Sequence, residues 1–419
     1  MKIASVKIEN FRGIHSLYVD CGERMNVIIG NNGAGKSTVL VAIRILLSWF
    51  VARIRSRDGK GLRISDDDIT SGESFCRLEI LLDNGTRWKL FKQKSKYRGK
   101  AIDKTDLTQL TAMTDRLMVE REKSAKSTAL PAIGYYGVNR AVADVTPEVS
   151  KKSQIEAEDS YDVRLNNGAN FTRFFDWFRE LEDIENANYR NTGRLDEDGQ
   201  LNAVRRALES VLPGMGHFHV SRKPRAFMLE KDGVSLRIDQ LSDGEKCYLT
   251  LIGDIARMLS MVTNGILNPL QGCGMILIDE VDLHLHPQWQ TEVISLLGGI
   301  FPNCQFFLTT HSPFVVSSLK SFENDRFLLM DQGEGELVSE NTFGKSVSEI
   351  LTEFFEMKSL RNQEVHQRLT VIWQCLAKGD SSSKEFCQAS EWLKKNLSPS
   401  DIAFAHINLE RKKLEGKKI

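Results

Sequence analysis

The sequence predicts an α/β chain: a mixed central sheet, an antiparallel β subdomain, a helical insertion and a helical C-terminal tail. Three observations predict it. NVIIG (26–30), MILID (275–279) and QFFLTT (305–310) are short, mostly apolar runs of the kind that form buried strands. A glycine-rich turn leads from the first of these into a long apolar stretch, VLVAIRILLSWFV (39–51). Between the early and late strands lies a segment whose apolar residues recur at helical spacing. A length of 419 residues suits two or three domains with a sizeable core.

In chain order, residues 1–147 read as strands around one long helix. MKIASVKIENF alternates Ile3, Val6 and Ile8 with polar residues, as a first strand does. The run 39–51 is too short and, through Arg44, too charged to cross a bilayer, so it is expected as a core helix. FCRLEILL and TRWKLFKQ, joined by Asp83-Asn84-Gly85, predict a hairpin. The lysine-rich stretch Lys92 to Lys104 reads as a solvated loop, and AIGYYGVNR (132–140) as another strand. Residues 148–215 turn helical. Phe171, Phe174, Phe175, Phe178, Leu181 and Ile184 share one expected face, and Leu201, Val204, Leu208 and Leu212 another before Pro213-Gly214 stops it. Residues 216–340 return to strands, with turns at Lys231-Asp232-Gly233 and at DQGEGE (331–336). Residues 341–419 are helical and polar, with Ile350, Leu351, Phe354 and Phe355 on one face. That face either packs on its own chain or docks a partner.

Composition excludes little but directs the reading. Fifty-six basic residues balance fifty-six acidic ones, so no global charge argues for nucleic acid or membrane. Seven cysteines form no CxxC pair and read as reduced thiols of a cytoplasmic protein. The N-terminus carries no signal-peptide pattern.

GNNGAGKST (30–38) fits GxxxxGK[ST] and sits between a predicted strand and a predicted helix, the context this motif requires. Gly30, Gly33 and Gly35 let the backbone N–H groups of Asn31, Asn32, Gly33, Ala34 and Gly35 surround phosphates. Lys36 supplies positive charge, Thr38 lies in the first helical turn, and Ser37 offers a hydroxyl to Mg²⁺. The chain is therefore expected to bind ATP. In MILIDE (275–280), Asp279 is positioned to hold Mg²⁺ and Glu280 to act as general base on the attacking water. In LTTHSP (308–313), His311 is a candidate to orient that water against the γ-phosphate. His284 and His286 have no further ligand nearby in sequence and read as structural. Finally, Leu241, Ser242, Asp243, Gly244 and Glu245 precede a helical segment, with Ser242 and Glu245 spaced as a capping box.

The order glycine loop, helical insertion, LSDGE, DE, THS resembles the ATP-binding-cassette (ABC) ATPases, and more closely their soluble branch related to RecF, SMC proteins and the overcoming-lysogenization-defect nucleases. The resemblance covers residues 1 to about 340. IENFRGI (8–14) is similar to that branch's opening strand and turn, which implies that Arg12 approaches the nucleotide. The family signature LSGGQ reads LSDGE here: Asp243 and Glu245 depart from it, Ser242 and Gly244 keep it. DEVDLHLHP puts Asp282 on the loop that crosses the family's dimer interface. The resemblance implies ATP clamped between the glycine loop of one protomer and the signature of another, in a homodimer or higher homo-oligomer, with Glu245 folding back as a capping partner. More narrowly, WFRELEDIEN, GYYGVNR, DEVDLHLHPQWQ and the helical tail resemble the ATPase subunit of Septu-type antiphage systems, such ATPases also occurring beside retrons. This implies a separately encoded HNH nuclease as partner, since the chain shows no HNH constellation of its own. The alternative is a DNA-repair or DNA-clamping ATPase. Arg222-Lys223-Pro224-Arg225 and the Lys92–Lys104 loop leave direct DNA contact open. A transporter's ATP-binding subunit is disfavoured by the insertion and the histidine-rich loop, and no membrane is expected.

Overall fold

Within the first 94 residues lie an antiparallel sheet with alternating burial, a fully buried core strand whose sheet partners come from far along the chain, and a helix. β1 (Ile3–Phe11) and β2 (Ile14–Asp20) form an antiparallel hairpin whose turn holds Arg12 at φ 53°. β3 (Met25–Ile29), buried at every position, runs into the glycine turn and then α1 (Lys36–Arg55). β4 (Phe75–Leu82) and β5 (Arg87–Gln93) complete a four-stranded antiparallel sheet in the order β2-β1-β4-β5. The computed structural model describes residues 1–94, 103–124, 129–138, 165, 171–193, 199–211, 214–263, 268–320, 324–357 and 359–416. The segment expected to be helical from 148 to 164 and part of the lysine-rich loop lie outside the described residues.

The sequence reading placed one helix in this region, but there is a second, α2 (Thr108–Lys123). Its apolar residues are sparse, with Leu110 buried, so helical periodicity barely registers. The reading of α1 changes as well. At 20 residues it is long and apolar enough to cross a membrane, the only such helix among the described residues. Burial decides its place instead: two-thirds of its apolar window is covered by the rest of the fold, and Arg44 stacks 4.6 Å from the Tyr135 ring centroid.

β6 (Ala132–Tyr136) is followed by α3 (Phe171–Thr192) and α4 (Gln200–Glu209), then by the antiparallel sheet β7 (Met215–Arg222), β8 (Arg225–Lys231), β9 (Val234–Arg237). Phe227 lies 4.9 Å from Phe178 and 5.7 Å from Phe174, ring centre to ring centre, so α3 and this sheet share an aromatic core. Ile184, expected on that face, is exposed, because the apolar stripe of α3 ends at Phe178 and its place is taken by buried Glu182. One Glu182 carboxylate accepts from the Val220 backbone N–H and from Arg205 and Arg222, clamping α3, α4 and β7 together.

α5 (Asp243–Val262) then leads to β10 (Gly274–Ile278), α6 (Pro287–Ile300), β11 (Cys304–Thr310), α7 (Pro313–Ser317), β12 (Arg326–Asp331) and β13 (Glu334–Leu337). The central sheet runs β13-β12-β3-β11-β10-β6, parallel throughout except for β13. The result is the expected α/β architecture, a mixed central sheet with a separate antiparallel subdomain. Two buried amides tie the subdomain to the sheet. Gln305 accepts from Ile3 N–H and donates to the Ile3 and Gly22 carbonyls; Asn26 bonds Gly22 and Phe306.

The chain divides into units Met1–Val347 and Ser348–Ile419. α8 (Val347–Glu353) opens at that boundary. In the second unit, α9 (Gln363–Ala377), α10 (Lys384–Asn396) and α11 (Ile402–Gly416) bury Leu369, Ile372, Phe386, Leu393 and Ile407 together. Asn362 and Ser383 cap two of these helices, and Arg361 grips Asp401 with two 2.9 Å bonds.

A candidate nucleotide site in two halves

Parallel strands deliver their C-terminal ends to one edge of the sheet, where ligands bind in folds of this type. β3 leads into Gly30 (φ 150°), followed by Gly33 (φ 82°) and Gly35 (φ 104°). At Gly30 a Cβ would stand 2.3 Å from the Met330 carbonyl oxygen, so the turn cannot carry a side chain there. Lys36, at the start of α1, donates to the carbonyls of Gly30 (2.7 Å) and Asn31 (2.8 Å). Burial pulls its pKa below the ordinary lysine value, and the carboxylates of Glu280, Asp279 and Asp282 oppose that fall.

The strand ends align the acidic groups without room for slack. Asp279 N–H donates to the Tyr136 carbonyl at 2.7 Å, and Ser37 Oγ donates to Asp279 Oδ1 at 2.9 Å. Thr309 supplies a second hydroxyl to the same oxygen (2.6 Å) while accepting from Glu280 N–H (2.7 Å). Glu280 sits at φ 48°, a left-handed conformation unusual outside glycine, which turns it off the strand axis. Asp282, in the turn after the acidic strand, is buried: Thr310 Oγ1 donates to it at 2.5 Å, and His311 Nδ1 is 3.6 Å away. Neither threonine role was visible in sequence, where TTHS drew attention only to its histidine. Arg12 is held by Asp68, Nε to Oδ1 at 3.0 Å.

A hydroxyl and a carboxylate at 2.9 Å suit Mg²⁺, which takes one or two protein oxygens and leaves the rest to phosphate and water. Among the described residues no group of three or more His, Cys, Asp or Glu is arranged for a metal, and His286 is spent on capping α6.

The segment expected to act as the signature is the N-terminus of α5. Ser242 caps the helix: its backbone N–H and its hydroxyl donate to Glu245 Oε2 (2.9 and 2.8 Å), and its hydroxyl accepts from Glu245 N–H at 3.4 Å. Lys231 donates to Glu245 Oε1 at 2.6 Å. Burial raises the Glu245 pKa, but the bonds from Lys231 and Ser242 outweigh it and hold the carboxyl below its usual range. A Cβ on Gly244 would stand 2.4 Å from the His284 carbonyl oxygen. Here the glycine allows helix and loop to touch. Leu241 is buried and Asp243 faces solvent with Lys246 beside it.

The acidic strand end and α5 are linked inside the chain. Tyr136, whose carbonyl binds Asp279 N–H, donates its hydroxyl to Asp254 on α5 (2.9 Å), and Asp254 pairs with Arg257. All three side chains are buried. The basic cluster 222–225 is largely neutralised: Arg222 binds Glu182 and Asp183, and Arg225 binds Asp176.

The AAA domain family matches residues 5–212, and a second AAA-domain model, described with AbiEii toxin and Type IV TA systems, matches 139–317. The Retron Ec83 probable ATPase of Escherichia coli is 28% identical, the match spanning 99% of this chain and 87% of that protein. Septu protein PtuA of Bacillus thuringiensis is 24% identical over 75% of this chain and 73% of its own. Among solved structures, the SMC head bound to the C-winged helix domain of ScpA covers 81% of this chain and 98% of its own at 14% identity, with a TM-score of 0.45.

Proposed function

We propose that this ATPase, similar along almost its whole length to a retron ATPase, closes as a homodimer around ATP and thereby regulates a separately encoded HNH nuclease in antiphage defence. The observation that carries the reading is the separation of labour around the site. Lys36, Ser37, Asp279 and Glu280 gather at one sheet edge, whereas Ser242 is held by Glu245 and Lys231, and Gly244 by the loop at His284. A capped helix N-terminus with a serine hydroxyl is suited to an anion, and it is built on residues outside the glycine loop.

In this reading Lys36 exchanges its two carbonyl partners for the β- and γ-phosphates of ATP. Ser37 and Asp279 are the residues that would hold Mg²⁺, which would neutralise developing charge on the phosphates. Glu280 accepts a proton from the attacking water, and His311 orients it against the γ-phosphate. Ser242 of a second protomer closes the site. The nuclease partner is what the resemblance to Septu-type ATPases implies, and similarity to a retron ATPase and a Septu protein supports membership of such a system. Engagement of Arg222 and Arg225 by acidic partners removes one support for the DNA-clamping reading.

The test uses Glu280→Gln protein and light scattering. With ATP and Mg²⁺ it is expected to accumulate as a dimer, and with ADP to remain apart; an unchanged mass in ATP would overturn ATP-driven closure. Co-expression with the product of the neighbouring reading frame, followed by affinity purification, tests the nuclease partner. Recovery of this ATPase alone would count against it.

A further inference from the structure

The three-stranded sheet reaches the signature helix through one charged contact. Lys231 ends β8, directly before the Asp232-Gly233 turn, whose left-handed φ values of 51° and 80° fold the hairpin back. Its ammonium lies 2.6 Å from Glu245 Oε1, while Glu245 Oε2 takes both the backbone N–H and the hydroxyl of Ser242. Glu245 is the residue that departs from the family's uncharged glutamine. A carboxylate in the first turn of α5 favours the helix dipole, yet it repels any phosphate brought to the same terminus. Something must offset that charge if the terminus is to meet ATP.

We propose that Lys231 is a positioning residue of the signature half-site: it neutralises Glu245 and, through that carboxylate, holds the Ser242 hydroxyl where a partner's γ-phosphate meets the helix N-terminus. Lys231 is itself placed by the body behind it. Glu182 fastens β7 to α3 and α4, and β7 pairs with β8 along most of its length. The assignment rests on the two-chain reading proposed above.

The test compares Lys231→Met, Lys231→Arg, Glu245→Gln and the Lys231→Met/Glu245→Gln pair in the full chain. Lys231 is about one-third exposed, so screening discounts the loss, and Lys231→Met is expected to raise KM for ATP and lower turnover by about tenfold. Affinity of the glycine loop for ATP, measured in a Ser242→Arg background that cannot close, stays unchanged. Lys231→Arg retains most activity. Glu245→Gln restores much of what Lys231→Met loses, because no uncompensated charge remains; a merely structural role would leave the double variant as poor as the single one. Unchanged kinetics in Lys231→Met, or no recovery in the pair, would overturn the assignment.

Mixed dimers separate this assignment from the reading beneath it. When Lys36→Ala and Ser242→Arg chains combine, the intact site uses the signature of the Lys36→Ala chain. Lys231→Met on that chain is expected to lower the recovered activity by about the same tenfold, and on the Ser242→Arg chain to leave it. Equal loss from either chain refutes the role of Lys231. Failure of the parent mixture to recover activity refutes the two-chain reading instead.

Discussion

Gly244→Ala tests whether the signature helix is positioned by close approach to the loop after the acidic strand. An added Cβ would lie 2.4 Å from the His284 carbonyl oxygen, whereas a carbon and a carbonyl oxygen settle at about 3.3 Å. The deficit is therefore roughly 1 Å. Both groups are backbone, so no rotamer relieves it, and His284 is already at φ 64°. Alanine in a helix interior normally gains about 0.5–1 kcal/mol over glycine. Overpacking of this size costs about 1–3 kcal/mol and wins. The helix N-terminus must slide, carrying Ser242 with it, and a displacement of about 1 Å at a reacting centre lowers rate on the order of 10²-fold. Steady-state ATP turnover and thermal unfolding are the assays. Gly299→Ala is the control, since that glycine of α6 is exposed and has open space around it. Wild-type turnover and stability in Gly244→Ala, matching the control, would refute the reasoning.

Other outcomes follow from the same geometry. Glu280→Gln is expected to lower turnover by about 10²–10⁴-fold while ATP binding survives, measured by single-turnover hydrolysis and nucleotide titration; near-normal hydrolysis contradicts its role as base. Tyr136→Phe leaves Asp254 short of one buried donor, so a loss of about 1–3 kcal/mol in denaturant unfolding is expected with the glycine loop still binding ATP. Glu245 has a folded pKa below its ordinary 4.5, so it contributes stability above that pH and loses the contribution as pH falls through the lowered value. The stability gap between wild type and Glu245→Gln is accordingly expected to close in acid, and a gap that widens there contradicts the Lys231 pairing. Burial lifts the thiols of Cys76 and Cys304 to about 12, so thiol reagents at neutral pH are expected to label exposed Cys273 and Cys387 first, as peptide mapping will report.

Local chemistry was legible in the sequence and distant partnership was not. The glycine turn, the strand ends at Asp279 and Thr310, the turn at Asp232-Gly233 and the Ser242–Glu245 cap all depend on neighbours within a few residues. Residue type and spacing therefore specify them. Tyr136 and Asp254 lie 118 positions apart and Gln305 and Ile3 302 apart, and nothing local distinguishes them from any other tyrosine or glutamine. α2 escaped because it buries little, and Ile184 misled because helical spacing continues past the point where α3 leaves its aromatic core. Lys231 appeared in sequence only as the start of a turn. Its chemistry comes from the hairpin that carries it back to Glu245.

The central claim is that one chain supplies each half of the ATP site to another. Mixing Lys36→Ala with Ser242→Arg protein tests it most directly, with each variant inactive alone. Random exchange in a two-fold dimer makes half the molecules mixed, each with one intact site, so recovery of up to roughly one quarter of wild-type turnover is predicted. Mixed dimers demonstrated by differential tags, yet with no ATP turnover, would contradict the account.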